Sequence, residues 1–391
     1  MQVHARRYDN GLPVCLEWEG AKLVHCATLR QTNAQHAWPW VAPGFWDVQV
    51  NGFAGQEFSS PELTPEKVQS IVTKHFDFGV TSICPTLTTQ SFAVISHGMK
   101  TIAQAAEKWP EVAKMIVGIH LEGPYIATED GPRGAHPLEH CRPPDWDEFE
   151  QLQAASGHRI KIITLSPEYE QAPAFIARAS SSGVVVAIGH TGATAEQIQA
   201  AVDAGAKFTT HLGNGAHRQL KRHPNYLWDQ MAEDRLWASL IVDGHHLPPE
   251  VVKCFVRSKT PARCLLVSDE SGLAGLPPGR YDSMGGALEI LEDGRLVIAG
   301  QNQLLAGASQ PIGDGVANVM RFAGVDLPTA IHMATTTPAA LLNHSHVGLR
   351  PGDLADLVLF QLDESSNSNS GALQVQATVA GGKLVYGSLT A

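Results

Sequence analysis

The chain has 391 residues, of which 43% are apolar and 17% are charged. This composition supplies a large buried core and argues against a disordered chain. The formal net charge of −11 argues against nucleic acid as a partner, because proteins that bind polyanions normally carry a basic patch. The length exceeds one ordinary domain and fits a large α/β barrel with a small accessory domain.

The cysteines and the hydropathy pattern predict a cytoplasmic protein. The six cysteines are scattered and form no C-x-x-C pair, so we expect reduced thiols rather than disulfides or a zinc finger. The N-terminus has no apolar signal core. No run of about 18 apolar residues occurs, so we expect no membrane span.

Short apolar, β-branched runs recur along the chain, and helix-like stretches separate them. Residues 64–79 and 194–205, for example, begin with Thr and end with Gly, as capped helices do. This alternation predicts parallel βα units, which a closed (β/α)8 barrel of the TIM type satisfies. The predicted strands are residues 45–50, 82–85, 116–123, 160–165, 184–190, 208–214, 238–244 and 264–270.

The two ends of the chain have a different pattern. Residues 1–42 and 346–391 contain short alternating runs that are interrupted by turn residues such as Asp9-Asn10-Gly11. We predict that both termini form one small β-sandwich domain, and that residues 43–345 form the barrel inserted between them.

Polar residues stand at the carboxyl ends of the predicted strands, where TIM barrels collect their functional groups. Glu122 and His190 stand at the ends of strands three and five, and strand six carries His211. One carboxylate and two imidazoles, completed by a water molecule, are the ligand set of a catalytic zinc ion. Each residue alone also fits a hydrogen-bonded core group, and it is their joint placement that favours a metal site.

Asp269 follows the apolar run Leu265-Leu266-Val267 of strand eight. A carboxylate in that place needs a partner, because an unpaired buried charge is costly. We interpret it as the general base for an attacking water, which would then return the proton to the leaving amine. The alternative is a structural salt bridge between the last strand and its loop.

Taken together, these motifs resemble those of the N-acetylglucosamine-6-phosphate deacetylases of the amidohydrolase superfamily. The resemblance runs in order from residue 43 to about residue 307 and extends to the split terminal domain. The motifs that carry it are His120-Leu121-Glu122-Gly123-Pro124, Gly189-His190, Thr210-His211-Leu212-x-Asn214, Asp243-Gly244-x-His246 and Asp269.

The resemblance implies a role for each matching residue. Its metal ligands are Glu122, His190 and His211, and its catalytic carboxylate is Asp269. His136 would contact the substrate and polarise the acetyl carbonyl. The implied substrate contacts are Ala135, His136, Asn214, Gly215, His246, Leu305 and Gly307.

The end of strand one bears on the number of metal ions. Many amidohydrolases bind a second ion through His-x-His at this place, whereas this chain has Asp47-Val48-Gln49-Val50-Asn51. Gln49 is a neutral, poor ligand, so we expect one divalent ion per chain. Zinc is favoured, with iron, manganese and cobalt as alternatives.

The resembled family also donates an arginine from a neighbouring subunit to the substrate phosphate. The equivalent position here is Arg222, in a loop that also carries His217, Arg218, Lys221 and His223. A guanidinium suits a phosphate dianion. This predicts a homodimer or a larger homo-oligomer, and the alternative is a solvated basic loop.

The predicted function is hydrolytic deacetylation of N-acetyl-D-glucosamine 6-phosphate to D-glucosamine 6-phosphate and acetate. Three departures from the family pattern (Gly215-Ala216 after Asn214, Glu270 after Asp269, and Ala308) surround the sugar rather than the metal. The same chemistry on N-acetylgalactosamine 6-phosphate or another N-acyl compound is therefore an alternative. A non-catalytic sugar-binding barrel is a second one, although binding alone does not need Asp269.

Overall fold

The computed structural model describes residues 1–30, 38–283, 286–362 and 373–389. The strands, in chain order, are β1 (Gln2–Arg7), β2 (Pro13–Glu19), β3 (Lys22–Thr28), β4 (Trp40–Pro43), β5 (Phe45–Val50), β6 (Gly52–Phe53), β7 (Gln56–Glu57), β8 (Val80–Leu87), β9 (Ile119–Glu122), β10 (Ile160–Leu165), β11 (Val185–Ile188), β12 (Phe208–Thr209), β13 (Trp237–Leu240), β14 (Cys264–Leu266), β15 (Gly279–Ser283), β16 (Gly286–Ile290), β17 (Leu296–Ile298), β18 (Gln301–Leu305), β19 (Leu357–Leu362), β20 (Leu373–Ala380) and β21 (Lys383–Gly387).

The α-helices are α1 (Pro65–Lys74), α2 (Phe92–Lys108), α3 (Pro110–Met115), α4 (Trp146–Ala155), α5 (Ala172–Ser181), α6 (Ala195–Asp203), α7 (Tyr226–Ala232), α8 (Pro249–Lys259), α9 (Ile312–Ala323), α10 (Leu327–Ala334) and α11 (Thr336–Leu341). Short 3-10 helices cover His75–Phe78, Leu138–His140 and Pro261–Arg263. None of the described helices is both long and apolar enough to cross a membrane.

Eight parallel strands form the barrel, in the order β14-β13-β12-β11-β10-β9-β8-β5. A parallel bridge between Val50 and Glu270 joins the first strand to the end of the eighth and so brings the barrel close to closure. Each predicted strand corresponds to an observed one, and two of them, β5 and β10, have the predicted bounds. The prediction of a (β/α)8 barrel with a small β domain from the termini is confirmed.

The strands are buried on both faces because helices cover the outside and side chains fill the inside. All eight residues of β8 are buried. One cluster, which includes Val48, Cys84, Ile162 and Phe208, is separate from the main core. Since successive side chains of a strand point to opposite faces, we assign this cluster to the barrel interior and the main core to the layer beneath the helices.

The helix boundaries follow from capping. Thr64 accepts a hydrogen bond from the backbone N–H of Lys67 at the start of α1 (3.3 Å). Thr194 and Gln197 form a reciprocal capping box at the start of α6. These local interactions fix where α1 and α6 begin, after the loops that follow β5 and β11.

The terminal strands form one seven-stranded sheet in the order β21-β20-β19-β4-β1-β2-β3. Strand β4 pairs with β1 from the N-terminus and with β19 from the C-terminal part of the chain. This sheet therefore depends on both ends of the chain.

A four-stranded antiparallel sheet, β15-β16-β17-β18, follows the eighth barrel strand and was not predicted. It has a small apolar cluster of its own, built on Leu273, Ile290 and Leu296. Its strands have only three to five residues. Alternation over so few residues is a weak pattern, which explains why the sequence did not reveal it.

Candidate active site

Three predicted metal ligands meet at the carboxyl end of the barrel. Oε1 of Glu122 lies 3.2 Å from Nε2 of His190 and 3.0 Å from Nε2 of His211. The two imidazole nitrogens are 3.1 Å apart. All three residues are buried. Burial raises the pKa of Glu122, but the two neighbouring imidazoles outweigh this effect and hold it well below the usual range.

The second ring nitrogen of His190 shows which atom is available for a metal. Nδ1 lies 2.9 Å from the carbonyl oxygen of Pro132. A carbonyl oxygen can only accept, so Nδ1 carries the proton and the lone pair of Nε2 faces Glu122 and His211. This is the tautomer that a metal ligand requires.

His136 lies in the same cluster but has the opposite tautomer. Its Nε2 is 3.2 Å from Nε2 of His190, and its ligand atom lies within 4.8 Å of those of Glu122 and His190. The backbone N–H of Thr89 donates to Nδ1 (3.4 Å), and the Thr89 hydroxyl lies 2.8 Å from the same atom. Nδ1 is therefore an acceptor, and Nε2 carries a proton that points into the site. Burial lowers the pKa of His136 to about 3, so the ring is neutral.

Asp269 lies beside this cluster, and amide groups hold its carboxylate. Oδ1 accepts hydrogen bonds from Nε2 of Gln49 (3.0 Å) and from Nδ2 of Asn51 (2.8 Å). Burial, followed by the charge of Glu122, raises the pKa of Asp269 to about 6. A carboxylate with a pKa in this range can both accept and release a proton near neutral pH.

A divalent ion fits this donor set. Ligands about 2.1 Å from a tetrahedral ion lie about 3.4 Å apart. The atoms of Glu122, His190 and His211 are only slightly closer to one another than this. One anionic oxygen and two imidazoles are ligands that zinc and similar ions prefer. When bound, the ion would polarise the scissile carbonyl and lower the pKa of a water molecule.

Comparison with known proteins agrees with this geometry. Residues 40–385 match a family model described as "Amidohydrolase family". An N-acetylglucosamine-6-phosphate deacetylase of Homo sapiens is 34% identical over 357 residues, which cover 88% of this chain and 83% of the relative. The chain is an amidohydrolase of the N-acetylglucosamine-6-phosphate deacetylase family. It is thus a metal-dependent deacetylase, and the family and the His/Glu cluster together indicate a divalent metal.

Other relatives and solved structures are similar over most of the amidohydrolase. An N-acetylgalactosamine-6-phosphate deacetylase of Escherichia coli O157:H7 is 33% identical over 321 residues, covering 81% of this chain and 82% of the relative. The structure of N-acetyl-D-glucosamine-6-phosphate deacetylase from Mycobacterium smegmatis has a TM-score of 0.84 at 28% identity, covering 99% of this chain and 100% of that chain. An aspartate-to-alanine mutant of that enzyme is known in complex with N-acetyl-D-glucosamine-6-phosphate.

The backbone of the amidohydrolase turns sharply at three of the predicted site residues. His190, His211 and Asp269 have φ values of 49°, 30° and 53°. They are three of the eight non-glycine residues with positive φ in the described chain. Such conformations cost roughly 1–3 kcal/mol each and concentrate at functional sites. Here they direct side chains that follow three different strands toward one point.

Two predicted substrate contacts, Gly215 and Ala135, lie beside the metal cluster. A Cβ atom at Gly215 would come within 2.7 Å of Nδ1 of His190, so the loop after β12 contacts this imidazole closely. Ala135 is exposed and immediately precedes His136. Asn214, next to Gly215, has a buried side-chain nitrogen without a protein partner among the described residues.

His246 lies in the loop after β13, and Asp243 of the same loop orients its imidazole. Nδ1 lies 2.7 Å from Oδ2 of Asp243, whose other oxygen accepts the backbone N–H groups of His245 and His246. Burial would raise the pKa of Asp243, but His246 and these hydrogen bonds lower it to about 2. The ionised carboxylate thus fixes the imidazole of His246.

The remaining predicted contacts, Leu305, Gly307 and Arg222, lie on two other segments of the chain. Leu305 ends β18, and Gly307 follows it, with a φ of 114° and Ser271 close by. Arg222 is exposed on the loop between β12 and α7. On the same loop, His217 contacts Glu129 (3.1 Å) and the hydroxyl of Tyr226 (3.0 Å) rather than pointing freely to solvent.

Two residues contact side chains of the site in ways that were not predicted from the sequence. Thr89 sets the tautomer of His136, and no motif marks it. Gln49 was predicted only as a poor ligand, whereas its amide nitrogen lies 3.0 Å from Oε1 of Glu122 and 3.0 Å from Oδ1 of Asp269. Its position at the end of a barrel strand could have suggested a contact with the site.

Proposed function

We propose that the amidohydrolase hydrolyses N-acetyl-D-glucosamine 6-phosphate to D-glucosamine 6-phosphate and acetate. The observation that carries this proposal is the placement of Asp269 and of the protonated Nε2 of His136 beside the Glu122, His190 and His211 cluster. The relatives and the solved complex supply the identity of the substrate. We further propose a homodimeric or larger assembly in the cytoplasm.

Glu122, His190 and His211 would hold one divalent ion, and we propose zinc. Gln49 supports a single ion because its neutral amide lies between Glu122 and Asp269, where a second cation would otherwise bridge the two carboxylates. Nitrogen and carboxylate ligands in a roughly tetrahedral arrangement suit zinc. Measuring zinc, iron, manganese and cobalt per chain in the purified protein tests both the number and the identity of the ion.

In the reaction, Asp269 transfers a proton and His136 stabilises the developing charge. Asp269 takes a proton from water as the water oxygen bonds to the acetyl carbon. His136 donates a hydrogen bond from Nε2 to the acetyl oxygen and stabilises the negative charge that develops there. The C–N bond then breaks, Asp269 gives its proton to the sugar nitrogen, and acetate and the amine are released.

We propose that Asn214, Gly215, His246, Ala135, Leu305 and Gly307 contact the sugar. Arg222 of a neighbouring subunit would bind the phosphate. Its exposure supports this role, since an exposed guanidinium can reach another chain. The division of the chain into residues 1–42 with 346–391, and residues 43–345, stays a prediction.

The second candidate substrate is N-acetylgalactosamine 6-phosphate. The specific observation in its favour is the 33% identity to the deacetylase of that sugar from Escherichia coli. The departure from the family pattern at Gly215-Ala216 also includes one of the proposed sugar contacts, whereas the carboxylate of Glu270 is buried and bonds to Nε2 of His75 (3.0 Å). The experiment is a comparison of kcat/KM for both sugars, each with and without the 6-phosphate. Equal rates with and without phosphate would contradict the proposed substrate class.

A further inference from the structure

Gln49 connects the two carboxylates of the site. Its side-chain nitrogen lies 3.0 Å from Oε1 of Glu122 and 3.0 Å from Oδ1 of Asp269. The residue is 1% exposed. Since both partners are hydrogen-bond acceptors, the NH2 group of the amide, and not its oxygen, must face them. Its two N–H groups can therefore serve one carboxylate each.

Asn51 adds a second hydrogen bond to the same oxygen of Asp269. Its Nδ2 lies 2.8 Å from Oδ1 and 3.4 Å from the carbonyl oxygen of Asp269. Oδ1 thus accepts two side-chain N–H groups, while no described residue donates a hydrogen bond to Oδ2. The two oxygens of this carboxylate are in different environments.

The backbone holds these side chains in register. The N–H of Asp269 donates to the carbonyl of Gln49 (3.0 Å), and the N–H of Asn51 donates to the carbonyl of Glu270 (2.8 Å). Asp47 accepts the N–H of Ser268 with both carboxylate oxygens (3.2 Å each). These hydrogen bonds join the first and eighth barrel strands where the barrel closes, so the amides and Asp269 have fixed relative positions.

We propose that Gln49 and Asn51 are positioning residues which bind Oδ1 of Asp269 and leave Oδ2 as the oxygen that exchanges the proton. Oδ2 takes the proton of water as the water oxygen bonds to the acetyl carbon. It then gives that proton to the sugar nitrogen, which receives the electron pair of the broken C–N bond. This inference rests on the proposed function.

The experiment is a double-mutant cycle of Gln49→Met and Asp269→Asn, with kcat, KM and metal content measured for each variant. Methionine has nearly the length of glutamine but no N–H group. Residues that hydrogen-bond to a metal ligand, as Gln49 does to Glu122, typically contribute about 10–100-fold to metal affinity or activity. We expect Gln49→Met to lower kcat by about this factor, with KM changed less than about twofold and metal content unchanged. Asn51→Leu should behave in the same way.

The double-mutant cycle distinguishes positioning of Asp269 by Gln49 from a general effect of Gln49 on the stability of the site. If Gln49 acts through Asp269, Gln49→Met should change kcat less than about twofold in the Asp269→Asn background. An equal loss in both backgrounds, a change confined to KM, or a loss of metal would overturn the proposal. Gln153→Met is the matched control, because Gln153 also donates an amide hydrogen bond (to the carbonyl of Ile160, 3.0 Å) but lies on α4, away from the site.

A structural measurement makes the test independent of turnover. Crystal structures of Gln49→Met and the wild type, both with metal, should show the Asp269 carboxylate rotated in the variant, and an unmoved carboxylate would overturn the proposal. The proposed function fails separately, if neither sugar phosphate is hydrolysed. The cycle can then be measured on whichever N-acyl compound the enzyme does hydrolyse.

Discussion

Nδ1 of His190 lies 2.9 Å from the carbonyl oxygen of Pro132, and this contact turns the lone pair of Nε2 toward Glu122. The metal-binding role of His190 leads to the first prediction. The wild type should hold about one divalent ion per chain, and His190→Asn should lower this content. The loss of affinity should be at least the 10–100-fold seen when a hydrogen-bond partner of a metal ligand is removed. Elemental analysis after dialysis measures the metal content of the variant and of the wild type. His158→Asn, at an exposed histidine, is the control, and full metal retention by His190→Asn would exclude His190 as a ligand.

The second prediction concerns the carboxylate that exchanges the proton. Asp269→Asn should keep the metal and bind substrate, because Asp269 is not among the three proposed ligands. Its kcat should fall by roughly 10²–10⁴-fold, the usual scale for a general acid–base group. Steady-state kinetics together with calorimetric substrate binding measure the two properties. Near-normal turnover would leave Asp269 with only the structural role that the sequence also allowed.

The third prediction is the acid limb of the pH profile. The protein groups raise the pKa of Asp269 to about 6, chiefly through burial and then through Glu122. Asp269 must be ionised to accept a proton, so kcat should fall as the pH drops through this pKa. A bound dication favours the ionised form, and we therefore expect the midpoint at or below about pH 6. A midpoint clearly above pH 6 in the metal-loaded enzyme would contradict this assignment.

The fourth prediction distinguishes His136 from the ligands that surround it. Because Nε2 of His136 carries a proton, His136→Ala should keep the metal. It should lose about 10²–10³-fold in kcat, as expected when one hydrogen bond to a developing oxyanion is removed. Thr89→Val, which keeps the backbone N–H but removes the hydroxyl, should have a smaller effect. If His136→Ala loses its metal instead, His136 is a fourth ligand and the tautomer assigned to it is wrong.

The fifth prediction tests the shared phosphate site. Arg222→Ala should raise KM for the 6-phosphorylated sugar by about 10–150-fold, which corresponds to the ~1.5–3 kcal/mol of a charged hydrogen bond. KM for the unphosphorylated sugar should barely change. Arg218→Ala, in the same loop, is the matched control.

A mixture of Arg222→Ala and Asp269→Asn chains tests whether Arg222 acts in the site of a neighbouring subunit. Hybrid dimers would contain one site with both residues intact, so some activity should return. A monomeric protein, or equal weakening for both sugars, would rule out an arginine donated across an interface.

Much of the fold could be predicted because its patterns are local. The buried strands, such as residues 160–165, are continuous apolar runs, and the helix that starts at Thr194 is defined by residues within one turn. The four-stranded sheet at 279–305 lacked such a pattern, since its strands are short and bury only a small cluster. It therefore became evident only from the antiparallel pairing of its strands.

The amino-acid sequence alone determined which groups could act, because residues at the carboxyl ends of barrel strands lie near the barrel mouth. Glu122, His190 and His211 were identified in this way, before any distance was known. Only the tertiary structure decided which atom of each group can bind the metal, donate a hydrogen bond or exchange a proton. The proton on His136, the lone pair of His190 and the two amide hydrogen bonds on one oxygen of Asp269 all depend on partners from other strands and loops. Those partners are between 47 and 220 residues away in the chain, so no local pattern in the sequence could have specified them.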